Sequence, residues 1–357
     1  MTGTAHGACD PRFAAVRDAF AANLEDEIGA AVVVKVGGTT VVDLWGGWAD
    51  AARTRPWRPG TVVDVFSTGK ACVAFTVLSL GLDLDARVWQ DATLRQVLAH
   101  QAGQPAIRAD VPEEAIYDWD RMVRLLESQQ PWWAPGTAHG YHVNTFGFLC
   151  GEIVRRGTGE PLSTHFARIA GDATGVTFGA RPEADVAEFV FDVPSVDRSD
   201  VVPAAMSEDA RHLFARTYFN PPGLSGIGTV NTEAWRGAEI PSCNVHASAR
   251  GLAGVFARIP GLLDPDLLTE AIRPWSDGRD FVLGRNTRFG LGFQLPQPDR
   301  RMGSGESAYG HFGASGSLGF HDPESEVVFA YVCNRCEGHR WQTVRNRRLL
   351  DALDDAL

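Results

Sequence analysis

An antiparallel sheet flanked by helices and interrupted by a mostly helical region, an α+β chain, is what three features of this 357-residue sequence call for. β-branched runs cluster near the start, in AAVVVKV and TTVVDLW around Gly37-Gly38. They return near the end, in RFGLGFQL, HFGASGSLGF and EVVFAYVCN, while residues 86–230 read as helical segments joined by Pro/Gly loops. Strands from both ends bury their apolar faces by pairing, so residues 1–85 plus 231–357 are expected to form one domain and 86–230 a helical one.

In chain order, residues 10–28 predict an amphipathic helix: Asp10 caps it, Pro11 occupies the first turn, Phe13, Val16, Phe20, Leu24 and Ile28 recur at helical spacing, and Gly29 closes it. The Gly37-Gly38 pair then turns a hairpin. A short strand, VVDVF, leads into Ser67–Leu80, which is apolar nearly all round and therefore a buried helix. Helices follow at ATLRQVLAHQAG, EEAIYDWDRMVRLLES and NTFGFLCGEIVRRGTG, the last preceded by the loop PWWAPGTAHGYHV. TEAWRGAEIP and HASARGLAGVFARI are two more. The tail is β again, with a turn at His321–Glu324, and WQTVRNRRLLDALDDAL forms a closing helix.

Composition removes several functions. At 44% apolar, 22% charged and a formal charge of −11, the chain has material for a core and no basic surface for nucleic acid. No apolar run is long enough to span a bilayer, so no membrane role is expected. The start, MTGTAHGACDPRF, lacks the basic and apolar signature of a secretion signal, so cytoplasmic residence is expected. Six cysteines in so long a chain are not a disulfide lattice, and the C-x-x-C of Cys333 and Cys336, after an apolar strand, reads as a structural thiol pair. Neither G-x-x-x-x-G-K-[ST] nor H-E-x-x-H occurs, and no cofactor or metal is called for. The elbow G-x-S-x-G is absent too: Ser225 in GLSGIG and Ser315 in GASGS both lack the final glycine, which excludes that hydrolase architecture.

Lysine usage is the informative anomaly. Only Lys35 and Lys70 occur among 33 basic residues. Arginine serves wherever a plain charge suffices, yet it cannot give up its proton, whereas a desolvated lysine can. Lys35 lies in an apparent strand and is read as a solvent-face residue. Lys70 follows Ser67 by three at the start of the buried helix, which places both side chains on one face. There the amine can take the hydroxyl proton, and the helix N-terminus both disfavours the ammonium and offers N–H groups to an oxyanion.

Two further windows bear on chemistry. Tyr141, in HGYHVNTFG, stands at a loop-to-helix junction, where a phenol can relay a proton if a cation lowers its pKa; packing with a wet hydroxyl is the simpler alternative. His142 and Asn144 read as capping or orienting groups. Glycines 313, 316 and 319, within what reads as a strand, mark a place where something approaches the backbone closely, or else relieve sheet twist. Trp119, Trp132 and Trp133 are candidates for an acyl-pocket wall, with ordinary packing preferred.

Taken together and in order, STGK at 67–70, LAHQAGQPA at 98–106, PGTAHGYHVNTFGFLCGEIVRRGTG and HFGASGSLGFHDPESEVVFAYVCNR resemble the serine β-lactamase and penicillin-binding-protein superfamily. The likeness is greatest to its class C-like branch with the family VIII carboxylesterases. The resemblance implies an α/β sandwich with an all-α region, Ser67 as acyl-accepting nucleophile, Lys70 as its base and Tyr141 sharing proton transfer. It also implies an oxyanion hole from the N–H groups of Ser67 and Ala314, with His311, Gly313 and Asn144 binding substrate. The sequence departs from the family's Tyr-x-Asn, with Val143 two past Tyr141 and asparagine moved to Asn144, and from its Lys-Thr-Gly, which reads His311-Phe312-Gly313. A histidine anchors a β-lactam carboxylate poorly, so the expected activity is that of a serine esterase on small ester or amide acyl donors. An acyltransferase passing the same acyl group to an amine or alcohol, and a non-catalytic binding protein of the same fold, are the alternatives. The lysine kept in an arginine-rich chain argues against the latter.

Overall fold

The computed structural model describes residues 4–171, 175–192, 206–336 and 342–357. Its main sheet has six antiparallel strands in the order His6–Cys9, Thr39–Gly47, Gly29–Val36, Val327–Cys333, Leu318–Asp322 and Tyr309–Phe312. The predicted hairpin is present, and the two ends of the chain meet where Val33 pairs with Ala330 and Val32 with Tyr331. Side chains alternate between faces. Ala30, Val32 and Val34 pack with Phe13, Val16 and Phe20 of the first helix and Leu349, Leu350 and Leu353 of the last. Ala31 and Val33 face the opposite way, onto the core that contains Leu252 and Phe256 of helix Ala249–Leu262 and all apolar residues of Lys70–Ser79. Each fully buried aliphatic side chain contributes about 1.5–3 kcal/mol, so both layers are tied firmly to the sheet. The outer helix lies so close that a Cβ on Gly319 would come within 2.4 Å of Phe256 Cε2.

Several elements differ from expectation. The first helix ends at Asn23, because Ile28 already accepts from Trp48 N as part of the sheet and Gly29 begins a strand. EEAIYDWDRMVRLLES breaks at Asp118, whose extended backbone and side-chain acceptance from Arg121 N start a new helix, Trp119–Ser128. HFGASGSLGF is two strands: Gly313 N donates to Ser317 O, Gly316 adopts φ +93°, and the chain turns back. RFGLGFQL is strand only to Phe289, where it pairs with Ser276–Arg279 outside the main sheet. The closing helix spans Val344–Asp354, and Trp341 lies outside the described residues. The stretch 86–230 supplies helices Trp119–Ser128, Thr145–Thr158, Leu162–Ala170 and Glu208–Phe219 together with the strand Val176–Phe178. That strand joins Val245–Ala247 and Val63–Asp64 in a small sheet. Among the described residues no helix is long and apolar enough to cross a membrane.

Candidate active site

The small sheet delivers the chain to Ser67. Asp64 ends its strand and its Oδ1 accepts from Phe66 N at 2.8 Å, while its Oδ2 accepts from Trp235 Nε1 at 2.8 Å. Phe66 is held at φ +48°, an unfavourable conformation for a residue with a side chain, and packs edge-on against Phe189. A 3-10 turn, Phe66–Gly69, then runs into helix Lys70–Ser79. Gly69 must be glycine, since a Cβ there would sit 2.3 Å from Val245 Cγ2. The close approach seats Ser67 at the start of a helix buried from Lys70 to Leu78, as its composition predicts.

Lys70 is fully enclosed. Its Nζ lies 2.9 Å from Ser67 Oγ, 2.8 Å from the carbonyl oxygen of Ser242 and 5.0 Å from the centre of the Tyr141 ring. No carboxylate pairs with it among the described residues, and burial lowers its pKa to about 7. An amine that is about half neutral at pH 7 and touching a hydroxyl can take its proton.

Tyr141 stands across from this pair, its ring stacked on Phe289 at 5.5 Å and its N–H donating to Asp280 Oδ2 at 2.9 Å. Burial pushes its phenol well above the ordinary value, opposed by a hydrogen bond with Ser67. The condition under which a cation lowers the phenol is not met: burial dominates, the nearby Lys70 is only about half charged at pH 7, and Tyr141 rests as the protonated phenol. His311 Nε2 lies 3.4 Å from Tyr141 Oη, with Nδ1 donating to Phe312 O at 2.8 Å. Desolvation keeps His311 neutral, as it does His100, and takes His142 down to about 3.

The narrow cleft in front of Ser67, with a cavity volume of about 40 Å³, is lined by Phe66, Ser67, Tyr141, Val143, Asn144, Phe191, Tyr218, Ser225, Cys243 and Ala314. Among the described residues, neither Ser67 N–H nor Ala314 N–H donates to a protein acceptor. Two residues expected to bind substrate are not on this wall. His311 is wholly buried behind Tyr141, and Gly313 has its N–H committed to Ser317 O. Gly313 instead permits close packing, since its Cβ would lie 2.4 Å from Val65 O and 2.8 Å from Thr68 Oγ1. Asn144 does reach the wall, but its amide donates to Thr217 O at 2.8 Å and Ser225 Oγ at 3.1 Å, which tethers the far side of the cleft. Trp119 lines a separate cavity, and Trp132 and Trp133 a third. The walls Phe191, Tyr218 and Cys243, and the anchors Asp280 and the Ser242 carbonyl, have no local sequence signature and are brought in from distant segments, whereas Asp64 lies three residues before Ser67 in the strand that leads to it.

Known proteins with this arrangement are close at hand. Residues 16–354 match the family described as Beta-lactamase. Esterase/beta-lactamase LipL of Mycobacterium tuberculosis is 33% identical over 368 residues, covering 92% of this chain and 82% of that one. A crystal structure of a family VIII carboxylesterase superposes with TM-score 0.88 at 33% identity, over 99% of this chain and 100% of the other. A penicillin-binding protein homolog from Caulobacter crescentus gives 0.85 at 31% identity, over 99% and 100%. With the sheet, the Ser67–Lys70 pair and matches over nearly the full length in agreement, the chain belongs to the beta-lactamase family of serine hydrolases.

Proposed function

We propose that this protein is a carboxylesterase that cleaves small esters, and more slowly amides, through an acyl-enzyme on Ser67. The observation that carries the reading is the buried Lys70 amine, with pKa lowered to about 7, 2.9 Å from Ser67 Oγ at the floor of a cleft.

In the reaction the neutral amine takes the Ser67 proton as Oγ bonds to the acyl carbon. The carbonyl oxygen becomes an oxyanion between Ser67 N–H and Ala314 N–H, whose unused donors gain an acceptor at that moment. Tyr141 gives its phenolic proton to the departing alkoxide and recovers one from the Lys70 ammonium, so the alcohol leaves neutral. Water then takes the alcohol's place, loses its proton along the same route and releases the acid. The reading favours uncharged acyl donors. The walls are Phe66, Val143, Phe191, Tyr218 and Cys243, and the third-motif residue His311 is neutral with its Nε2 3.4 Å from Tyr141 Oη, so it offers no cation to a β-lactam carboxylate. The family VIII carboxylesterase at 33% identity supports the same choice.

The test is hydrolysis of p-nitrophenyl butyrate together with covalent labelling by a p-nitrophenyl phosphonate, read by intact mass. Wild type turns over the ester and gains one adduct on Ser67, Ser67→Ala does neither, and a chromogenic cephalosporin is cleaved far more slowly. An inert, unlabelled wild type ends the proposal. Product analysis with added alcohols and amines decides between water and another acceptor for the acyl group.

A further inference from the structure

The turn Gly313–Ser317 presents Ala314 to the cleft, and its carbonyls are gripped in succession. Gly313 O accepts from Gly316 N at 3.2 Å and Ala314 O from Cys336 Sγ at 3.4 Å. Ser315 O accepts from Cys333 Sγ at 3.4 Å and from Arg345 Nη2 at 3.3 Å, and Gly316 O from Asn346 Nδ2 at 3.1 Å. Thiols are weak donors, so the Asn346 amide and the guanidinium are the strong members of this set, and only the guanidinium carries a charge. Arg345 is itself interior: its Nε lies 2.7 Å from Glu27 Oε1, with side-chain exposures of 2% and 0%. Tyr331 Oη donates to the same Glu27 oxygen at 2.8 Å, and Arg345 also reaches the carbonyls of Arg335 and Asp26.

A buried ion pair seldom stabilises a fold more than two apolar side chains of the same volume do, so stability alone does not account for this one. What it adds is direction: a planar fork fixed by Glu27 on one edge and by the turn on the other. We propose that Arg345, charge-balanced by Glu27, is a positioning residue for the oxyanion site, holding the 313–317 turn so that Ala314 N–H stays aimed into the cleft. The proposal rests on the reading of Ser67 N–H and Ala314 N–H as the oxyanion donors. It also gives the C-x-x-C pair a place, as two further grips on the same turn. An oxyanion donor acts chiefly in the transition state, so loosening it lowers kcat and leaves KM nearly unchanged.

The test compares wild type, the double variant Glu27→Met/Arg345→Leu and the milder Arg345→Lys, each with active sites counted by phosphonate titration. Arg345→Lys keeps the charge beside Glu27 but cannot bridge both edges. Expected is a loss in kcat of about tenfold or more for the double variant, with KM within about twofold and phosphonylation slowed in proportion. Arg345→Lys gives a smaller loss of the same kind. Either variant folding with kcat per titrated site at the wild-type level overturns the proposal; if the double variant does not fold, Arg345→Lys alone decides in the same way. An inert wild type is a separate result, because it removes the esterase reading and this inference with it.

Discussion

The protonation state of Lys70 makes the most exacting prediction. A free lysine with pKa 10.5 holds only about 3 neutral amines in 10,000 at pH 7, whereas one lowered to about 7 holds about half. Since the neutral form is the base, kcat/KM for p-nitrophenyl butyrate is expected to rise with pH to a plateau, with its midpoint near 7. At pH 6 the rate falls to about a tenth of the plateau, and by pH 8 it reaches about nine-tenths. The surrounding groups leave that window clear: His100 and His311 are held neutral, and burial pushes Tyr141 and the Cys243 thiol upward. Asp64, raised to about 8, interacts with Cys243 and can distort the upper limb, and Asp280, also pushed up by burial, lies against Tyr141. Asp64→Asn therefore serves as control and should leave the midpoint near 7. The perturbation is Lys70→Arg, which cannot shed its proton and is expected to abolish the rate at every pH. Rates are read at the isosbestic wavelength of nitrophenol, so that product ionisation does not enter. A flat profile, a midpoint near 10, or an active Lys70→Arg refutes the argument.

Other consequences are as direct. Lys70→Met is expected to be inactive yet to melt no lower than wild type near pH 7. The native amine binds fewer protons than the unfolded one between about pH 7 and 10.5, so native stability climbs with pH across that window. Deleting the amine removes a penalty of at most about 5 kcal/mol, against about 1–3 kcal/mol for leaving the Ser242 carbonyl bare; a sharply lower melting temperature contradicts this. Tyr141→Phe keeps the stack on Phe289 but loses the proton carrier and its hydrogen bonds to Ser67 and His311 Nε2, so kcat falls by about 10²–10⁴ while stability falls by no more than about 1–3 kcal/mol. Asp280→Ala strips acceptors from the N–H groups of Tyr141, Val282 and Leu283 and from the Thr287 hydroxyl. Urea unfolding should register a loss of at least about 2–3 kcal/mol, with Asp280→Asn recovering part of it. Gly69→Ala drives a methyl into Val245 and is expected to cost about 1–3 kcal/mol in the same assay, with activity reduced alongside.

The sequence alone determined whatever depends on spacing of a few residues. Ser67 and Lys70 share a face because three positions make about one helical turn, and that spacing, in an arginine-rich chain, separates Lys70 from the solvent-face Lys35. The Gly37-Gly38 hairpin and the buried helix were legible for the same reason: period and turn chemistry are local. Periodicity does not reveal which distant segment lies against which. The 311–320 window read as a strand because its glycines resemble those of a sheet, and only the Gly313–Ser317 hydrogen bond shows the turn that sets Ala314 beside Ser67, 247 positions away in the chain. His311 reads as a substrate-binding residue, and the structure buries it behind Tyr141 with its Nε2 3.4 Å from the phenol oxygen. Whether a cation lowers Tyr141 is open in the sequence, and tertiary burial decides it by raising the phenol and by leaving Lys70 about half neutral at pH 7. Enclosure by segments far apart in sequence sets the local dielectric, and the dielectric decides who holds the proton.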